Sequence, residues 1–189
     1  MFHKTSAGHS YLSTFLFLLY EKSLPHLTWL FLLRNYASHT VADTVKKDSI
    51  GFYIASCSYK TIVYKGQLTS TQVRGYFPDL SDKRVVSAFG LVHSRFATNT
   101  FPSWKLAQPF RYIAHNGEIN TLRGNKNWMK SHEIKMASLA FGEHSEDIKP
   151  VIPAGASDTA ALDAVFETLC RAGRDAPTAK LILVPEAWA

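Results

Sequence analysis

The stretch SDTAALDAVFETLCRAG, residues 157–173, carries the clearest helix pattern of the chain. Its large apolar residues recur at i, i+3, i+4 and i+7, which places them on one face of an α-helix; they are Leu162, Val165, Phe166 and Leu169. Ser157 or Asp158 can cap the first turn, and Gly173 suits the position just after the last turn. The pattern therefore predicts a helix that packs one face against a core.

The segments around this helix indicate a mixture of strands and helices. Two further helices are predicted, one capped by Thr69 or Ser70 and ended by Pro78, and one from Ile119 through residues 120–141. β-branched and aromatic residues typical of strands are concentrated in five segments, namely IGFYIAS (50–56), TIVYKG (61–66), RVVSAFGLVHSRF (84–96), FRYIAH (110–115) and AKLILVPEAW (179–188). Because no internal repeat or linker separates these elements, we expect one α+β unit.

The composition is that of a folded globular protein, since 46% of the 189 residues are hydrophobic and 13% are aromatic. The formal charge of +6 makes a basic nucleic-acid binder one candidate. The basic residues are scattered, with no run and no interleaved stacking aromatics, so we expect no nucleic-acid partner. Cys57 and Cys170 are too few for a disulfide framework, which favours a reducing, cytoplasmic location.

The N-terminal stretch YLSTFLFLLY, residues 11–20, is strongly apolar. A membrane span needs about 20 apolar residues, whereas this run is interrupted at Glu21, Lys22 and Pro25. We therefore interpret Tyr11 to Arg34 as two helical pieces separated at Pro25, and we expect no membrane association.

Four polar features lie where predicted elements end, which is where functional residues often occur. Arg95 follows a predicted strand and could bind a carboxylate, or it could be a surface arginine. Asn116 and Gly117 form either a hairpin turn or a pair of donors for an oxyanion. Asp158 could hold an ammonium group or simply cap its helix. The loop NTFPSW, residues 99–104, could cover a pocket or fill the edge of a core.

Together these groups would suit an amino acid with a reacting side-chain carbonyl, yet acyl transfer also needs a nucleophile and a base. Neither cysteine belongs to a recognisable Cys-His arrangement, and we interpret both as structural. The histidines lack the spacing of metal ligands, so we expect no metal site; they are His93, His115, His132 and His144. The residues alone therefore define a recognition site without its chemistry.

The stretch LVHSRFATNTFPSWKLAQPFRYIAHNGEINTLRGNKNWM (91–129), followed by ASDTAALD (156–163) and PEAW (185–188), closely resembles the glutaminase domain of glutamate synthase large subunits. These domains are class II glutamine amidotransferases. The resemblance extends from about Leu30 to Ala189. It implies a four-layer αββα sandwich of the N-terminal nucleophile hydrolase type, here incomplete at both ends.

The resemblance also implies glutamine hydrolysis by an N-terminal cysteine whose own α-amino group is the base. On matching positions, Arg95 and Thr98 would bind the α-carboxylate of glutamine and Asp158 its α-ammonium. The Asn116 side chain and the Gly117 N–H would form the oxyanion hole. FMN and an iron–sulfur cluster are implied for the whole enzyme, with none in this chain. The implied partners are the remaining synthase domains and a small subunit.

Two departures from the family pattern shape the expected activity. Residues 1–27 do not match the family and are expected to be an apolar helical segment, whereas residues 28–189 form a partial glutaminase domain. No cysteine precedes Cys57, so we expect the chain to lack the nucleophile and to be inactive alone. A non-catalytic glutamine-binding or interaction module is the alternative. The electron donor of the whole enzyme, NADPH, NADH or ferredoxin, stays open.

Overall fold

The structure is a computed structural model that describes residues 26–45, 52–94, 103–117 and 119–186. Five α-helices occur in these residues: α1 (His26–Val45), α2 (Ser70–Tyr76), α3 (Leu122–Glu133), α4 (Asp158–Arg171) and α5 (Ala176–Leu183). Three short 3₁₀ turns lie between them at Pro78–Ser81, Trp104–Leu106 and Gly142–Ser145. Helix α4 contacts both α1 and α5 and is the centre of the described fold.

Helix α1 supplies three of the five buried residues of the main hydrophobic cluster among the described residues. Trp29, Phe31 and Leu32 are almost fully buried and pack against Phe141 and Ile148 from the segment that follows α3. The Phe31 and Phe141 rings are stacked with centroids 5.8 Å apart. Burying side chains of this size stabilises the fold by about 1.5–3 kcal/mol each, so this cluster anchors α1 to the C-terminal half of the chain.

The predicted helix at 157–173 is confirmed, together with its caps. The Ser157 hydroxyl accepts the backbone N–H of Ala160, and α4 runs to Arg171. Gly173 has a φ of +101°, a conformation in which glycine avoids the strain of a side chain. The cap predicted for the upstream helix is also confirmed, because the Gln72 side chain accepts the Thr69 N–H at 2.9 Å at the start of α2.

The buried face of α4 differs from its predicted apolar face. Only Phe166 of the four predicted core residues is buried, and the other three are half-buried. Three polar side chains spaced four residues apart are buried instead: Thr159 (7% exposed), Asp163 (1%) and Glu167 (3%). We call these three residues the polar stripe of α4. Buried groups of this kind need hydrogen-bond partners. Thr159 and Asp163 bind the segment of residues 111–115, and Glu167 binds Arg34 of α1.

The predicted α+β sandwich is wrong for the described residues, none of which belongs to a strand. Val86 and Val92 are 88% and 89% exposed in the segment predicted as the third strand. In the segment predicted as the fourth, the backbone N–H groups of residues 111–113 donate to the Asp163 carboxylate. Residues with high β propensity form a strand only when they pack beside a neighbouring strand. Here the Asp163 side chain of α4 accepts the hydrogen bonds that a neighbouring strand would otherwise accept.

Two further boundaries differ from the prediction. The helix expected from Ile119 begins at Leu122, because Thr121 has a φ of +61°, outside the helical region. It ends at Glu133, whose carboxylate accepts the Val151 N–H at 2.7 Å. The strand predicted at 179–188 is helical as far as Leu183. Asp175 caps this helix and Pro177 lies in its first turn, a start signal that the apolar composition of the segment obscured.

The first of the two helical pieces predicted within Tyr11 to Arg34 lies outside the described residues. The second corresponds to the first part of α1, which begins directly after Pro25. In the described part of the chain, no helix combines the length and the apolar character that a membrane crossing requires.

Lys65 is a buried cation, 7% exposed, that lies between two aromatic rings. Its Nζ is 4.8 Å from the Tyr53 ring centroid and 4.6 Å from that of Phe110. Burial, reinforced by the nearby Arg111 guanidinium, lowers the pKa of Lys65 from 10.5 to about 8. The folded chain therefore releases this proton at a lower pH than the unfolded chain does.

This difference predicts a pH dependence of stability. Between about pH 8 and 10.5 the unfolded chain holds a proton that the folded chain has lost, so the free energy of unfolding rises with pH. We expect this contribution to reach about 1–2 kcal/mol between pH 8 and pH 10, and Lys65→Met to abolish it. Urea unfolding at a series of pH values measures the difference between the two proteins.

Lys60→Met is the matched control, because Lys60 also lies near a tyrosine ring, that of Tyr59, but is exposed. Its stability is expected to follow the unaltered chain at every pH. Parallel pH profiles for Lys65→Met and the unaltered chain would show that Lys65 is solvated.

Candidate functional site

The segment from His115 to Gly117 is held in place by the side chain of Gln108. The Gln108 Oε1 accepts the His115 N–H at 3.0 Å, and the Gln108 Nε2 donates to the His115 carbonyl at 2.8 Å. This two-point contact replaces the ladder hydrogen bonds that would flank a hairpin turn. The turn is therefore positioned by a side chain, and Asn116 and Gly117 are exposed at its tip.

The His115 imidazole connects the turn to the start of α4. Its Nδ1 accepts the Gly117 N–H at 3.0 Å, so the ring proton lies on Nε2, which donates to the Thr159 hydroxyl at 3.0 Å. The Thr159 hydroxyl lies 3.4 Å from the Asp158 Oδ1. A chain of hydrogen bonds thus joins Gly117 to Asp158, two of the residues that the resemblance assigns to the site.

Gly117 is packed closely against this imidazole. A Cβ added at this position would lie 3.3 Å from the His115 Nδ1, so the imidazole would have to shift by a few tenths of an ångström. The Gly117 N–H also has a partner within the turn, so an oxyanion would compete with His115 for this donor.

Asn116 presents its side-chain amide in a defined orientation. The His93 Nε2 donates to the Asn116 Oδ1 at 2.7 Å, and it lies 3.2 Å from the His115 carbonyl. Within the described residues the Asn116 Nδ2 has no hydrogen-bond partner. The donor end of this exposed amide is thus the end available to a ligand.

Asp158 is the first residue of α4 and does not serve as its N-cap, because Ser157 has that role. The Asp158 Oδ1 accepts the Thr159 N–H at 2.7 Å. No described residue contacts its Oδ2 by a hydrogen bond, so one carboxylate oxygen is available beside the turn.

Arg95 and Thr98, the predicted carboxylate-binding residues, lie outside the described residues, as does most of the NTFPSW loop. The structure therefore brings together three of the five predicted site residues, which are Asn116, Gly117 and Asp158.

Gln108, His115 and Thr159 hold these residues in place, and the site predictions did not include them. A sequence signal existed only for Thr159, which precedes Asp163 and Glu167 at intervals of four residues on one helix face. Gln108 and His115 are seven residues apart in a non-helical segment, a separation with no characteristic pattern.

The cysteines do not join this cluster through any described hydrogen bond. Burial raises the pKa of the Cys170 thiol, which keeps it protonated and poorly nucleophilic. In the described part of the chain, no group of three or more His, Cys, Asp or Glu side chains is arranged to hold a metal ion.

Comparison with known proteins identifies similar sequences. A family model described as class II glutamine amidotransferases matches residues 21–189. The chain is 53% identical to a glutamate synthase (NADPH) large chain from Azospirillum brasilense over 148 residues, which cover 78% of this chain and 10% of that protein. It is 54% identical to a glutamate synthase (NADH) from Schizosaccharomyces pombe over 160 residues, covering 84% and 7%. A glutamate synthase (NADH) from Saccharomyces cerevisiae is 49% identical over 177 residues, covering 90% and 8%.

Proposed function

The chain belongs to the class II glutamine amidotransferases, and from this premise we propose that it forms the glutamine-recognition part of a glutaminase site. It spans about a tenth or less of the length of these relatives. In the longer enzyme, the proposed reaction hydrolyses glutamine to glutamate and ammonia. The ammonia then serves the reductive amination of 2-oxoglutarate.

Each proposed site residue has a role set by its chemistry. The Arg95 guanidinium, helped by the Thr98 hydroxyl, binds the α-carboxylate of glutamine, and the Asp158 carboxylate binds the α-ammonium. The Asn116 Nδ2 and the Gly117 N–H donate to the side-chain carbonyl oxygen, where negative charge develops during hydrolysis. Losing one such donor typically costs about 10²–10³ in rate.

The observation that supports this proposal is the hydrogen bond between His115 and Thr159, which holds the Asn116-Gly117 turn beside the start of α4. The groups proposed to donate to the side-chain carbonyl of glutamine and the group proposed to accept from its ammonium therefore belong to adjoining elements. An isolated hairpin turn or a helix cap would not require this connection.

The proposed hydrolysis needs a cysteine thiolate that attacks the amide carbon and forms a thioester, while the amide nitrogen takes up the proton from the base and leaves as ammonia. Water then cleaves the thioester to give glutamate and restore the thiol. The resemblance implies an N-terminal cysteine, whereas the first cysteine of this chain is Cys57. We therefore expect glutamine binding without turnover from the isolated chain. The second candidate, a non-catalytic glutamine-binding module, is also based on the position of Cys57 as the first cysteine of this chain.

FMN and an iron–sulfur cluster are proposed for the longer enzyme. Iron–sulfur clusters are held by several cysteine thiolates, commonly four, and residues 1–189 contain two cysteines. The residues of this chain do not fit a cluster site, and we propose that other segments of the longer enzyme bind both groups.

Asp158→Ala tests the proposed ammonium site. The variant loses a charge-assisted hydrogen bond of about 1.5–3 kcal/mol, so we expect the affinity for glutamine to fall roughly 10–100-fold. Isothermal titration calorimetry of the purified chain measures this change.

Asp175→Ala is the matched control, since Asp175 is also an aspartate at a helix start but is the N-cap of a different helix, α5. It is expected to lose about 1 kcal/mol of stability through its cap and to bind glutamine normally. The proposed function would be contradicted if the unaltered chain failed to bind glutamine, or if Asp158→Ala bound it normally. Measurable glutamate release by the chain would contradict the expected lack of turnover and would exclude the non-catalytic candidate.

A further inference from the structure

We propose that His93 is a positioning residue that orients the Asn116 amide for its ligand. This inference rests on the proposed function, and it assigns a role to a side chain that would not itself touch glutamine. The evidence is the 2.7 Å hydrogen bond from the His93 Nε2 to the Asn116 Oδ1.

The chemistry of the two groups determines the direction of this hydrogen bond. The Asn116 Oδ1 and the nearby His115 carbonyl oxygen can both only accept a hydrogen bond. The His93 Nε2 must therefore carry a proton and donate. An asparagine amide exposed to water can rotate and present either its oxygen or its nitrogen. With the oxygen held by His93, the Nδ2–H₂ group is the end that faces away from the imidazole.

This orientation matters because the two ends of the amide have opposite effects on a bound carbonyl oxygen. The Nδ2–H₂ group donates to it, whereas Oδ1 in the same place would repel it. Preorganised donors stabilise developing charge without the cost of reorientation. His93 therefore fixes the Asn116 rotamer that presents Nδ2 to the ligand before glutamine binds.

His93 also restrains the backbone of the turn. Its Nε2 lies 3.2 Å from the His115 carbonyl, which already accepts a hydrogen bond from the Gln108 Nε2. Gln108 thus retains the backbone position if His93 is removed. The principal loss in a His93 variant is expected at the Asn116 side chain.

The test compares glutamine with 2-aminopentanoate, which keeps the α-carboxylate, the α-ammonium and the carbon chain but lacks the side-chain amide. In His93→Ala we expect glutamine affinity to fall about 3–10-fold, since one neutral hydrogen bond is worth about 1 kcal/mol. The affinity for 2-aminopentanoate is expected to stay the same. Calorimetric titration of the whole chain with both compounds measures the ratio of the affinity for glutamine to the affinity for 2-aminopentanoate.

His93→Gln should restore the ratio, because the glutamine side chain also offers an N–H₂ donor at its end. His132→Ala is the matched control, since His132 is exposed on α3, and it should leave both affinities unchanged. In nitrogen-correlated NMR spectra, the Asn116 side-chain resonances should shift in His93→Ala and return toward their original positions in His93→Gln.

The possible failures are distinguishable. If the unaltered chain binds no glutamine, the proposed function is overturned and the role of His93 with it. If the unaltered chain binds glutamine and His93→Ala lowers the affinity for both compounds equally, His93 supports only the structure of the site and the proposal is overturned. An unchanged ratio in His93→Ala, or no rescue by His93→Gln, would also overturn it.

Discussion

Glu167→Leu is expected to lower the free energy of unfolding by about 3–5 kcal/mol. The Arg34 Nη1 donates to both carboxylate oxygens of Glu167, at 2.9 and 2.7 Å. The two side chains are only 7% and 4% exposed, and Arg171 is a further cation 3.9 Å from the same carboxylate. Removing Glu167 would leave a buried guanidinium without its counter-charge, which explains the size of the effect.

Thermal or urea unfolding measures this loss, and a fall in melting temperature of roughly 6–20 °C is expected for a chain of this size. The double variant Arg34→Met with Glu167→Leu should recover about 2 kcal/mol or more, because a hydrophobic pair does not leave an unpaired charge. A double variant as unstable as Glu167→Leu would show that packing causes the loss.

The pair of Asp82 and Arg84 is the matched control for burial. Its N–O distance of 2.6 Å is as short as that of the buried pair, but the Arg84 side chain is 90% exposed. Asp82→Leu is expected to change the free energy of unfolding by less than about 1 kcal/mol. A loss equal to that of Glu167→Leu would show that distance matters more than burial.

Asp163→Ala is expected to destabilise the chain by about 3 kcal/mol or more. The carboxylate accepts three backbone N–H groups, from Arg111 at 3.2 Å, Tyr112 at 2.8 Å and Ile113 at 3.0 Å. Burial raises the pKa of Asp163, and the hydrogen bond from Tyr112 is the main opposing influence. Truncation would leave these donors without their acceptor, each at a cost of about 1–3 kcal/mol where it stays buried.

Asp163→Asn separates the three contacts. Tyr112 and Ile113 donate to Oδ1, which an asparagine retains, whereas Arg111 donates to Oδ2. An Nδ2 donor in that place would face the Arg111 N–H. Hydrogen exchange should therefore accelerate at the Arg111 amide in Asp163→Asn, and at all three amides in Asp163→Ala. Uniform acceleration across the chain in both variants would indicate global unfolding instead.

Local sequence patterns predict the separate features of the candidate site but not the contacts between them. The Asn-Gly pair and the start of a helix at Ser157-Asp158 are visible in the sequence because both depend on neighbouring residues. The hydrogen bonds that bring these features together depend on His115 and Thr159, which are 44 residues apart. No local pattern encodes such a pairing.

The strand predictions failed for a related reason. Residues 110–115 and 179–188 contain the β-branched and aromatic residues that strands favour. In the described structure the first segment is bound by Asp163, and the second is helical as far as Leu183, in a helix that starts from the Asp175 cap. A strand needs hydrogen bonds from another segment of the chain, whereas a helix cap acts within three residues. More of the helix predictions were therefore confirmed.

The sequence by itself determined helix α4, its caps, the cap of α2 and membership in the class II glutamine amidotransferases, because each depends on residues close together in the chain or on a motif of contiguous residues. Only the tertiary structure decided which face of α4 is buried. The acidic residues at 163 and 167 would normally face solvent, yet three backbone amides and Arg34 make their burial favourable. Those partners come from segments more than 50 residues upstream for Tyr112 and 133 residues upstream for Arg34, and only the folded chain brings them to α4.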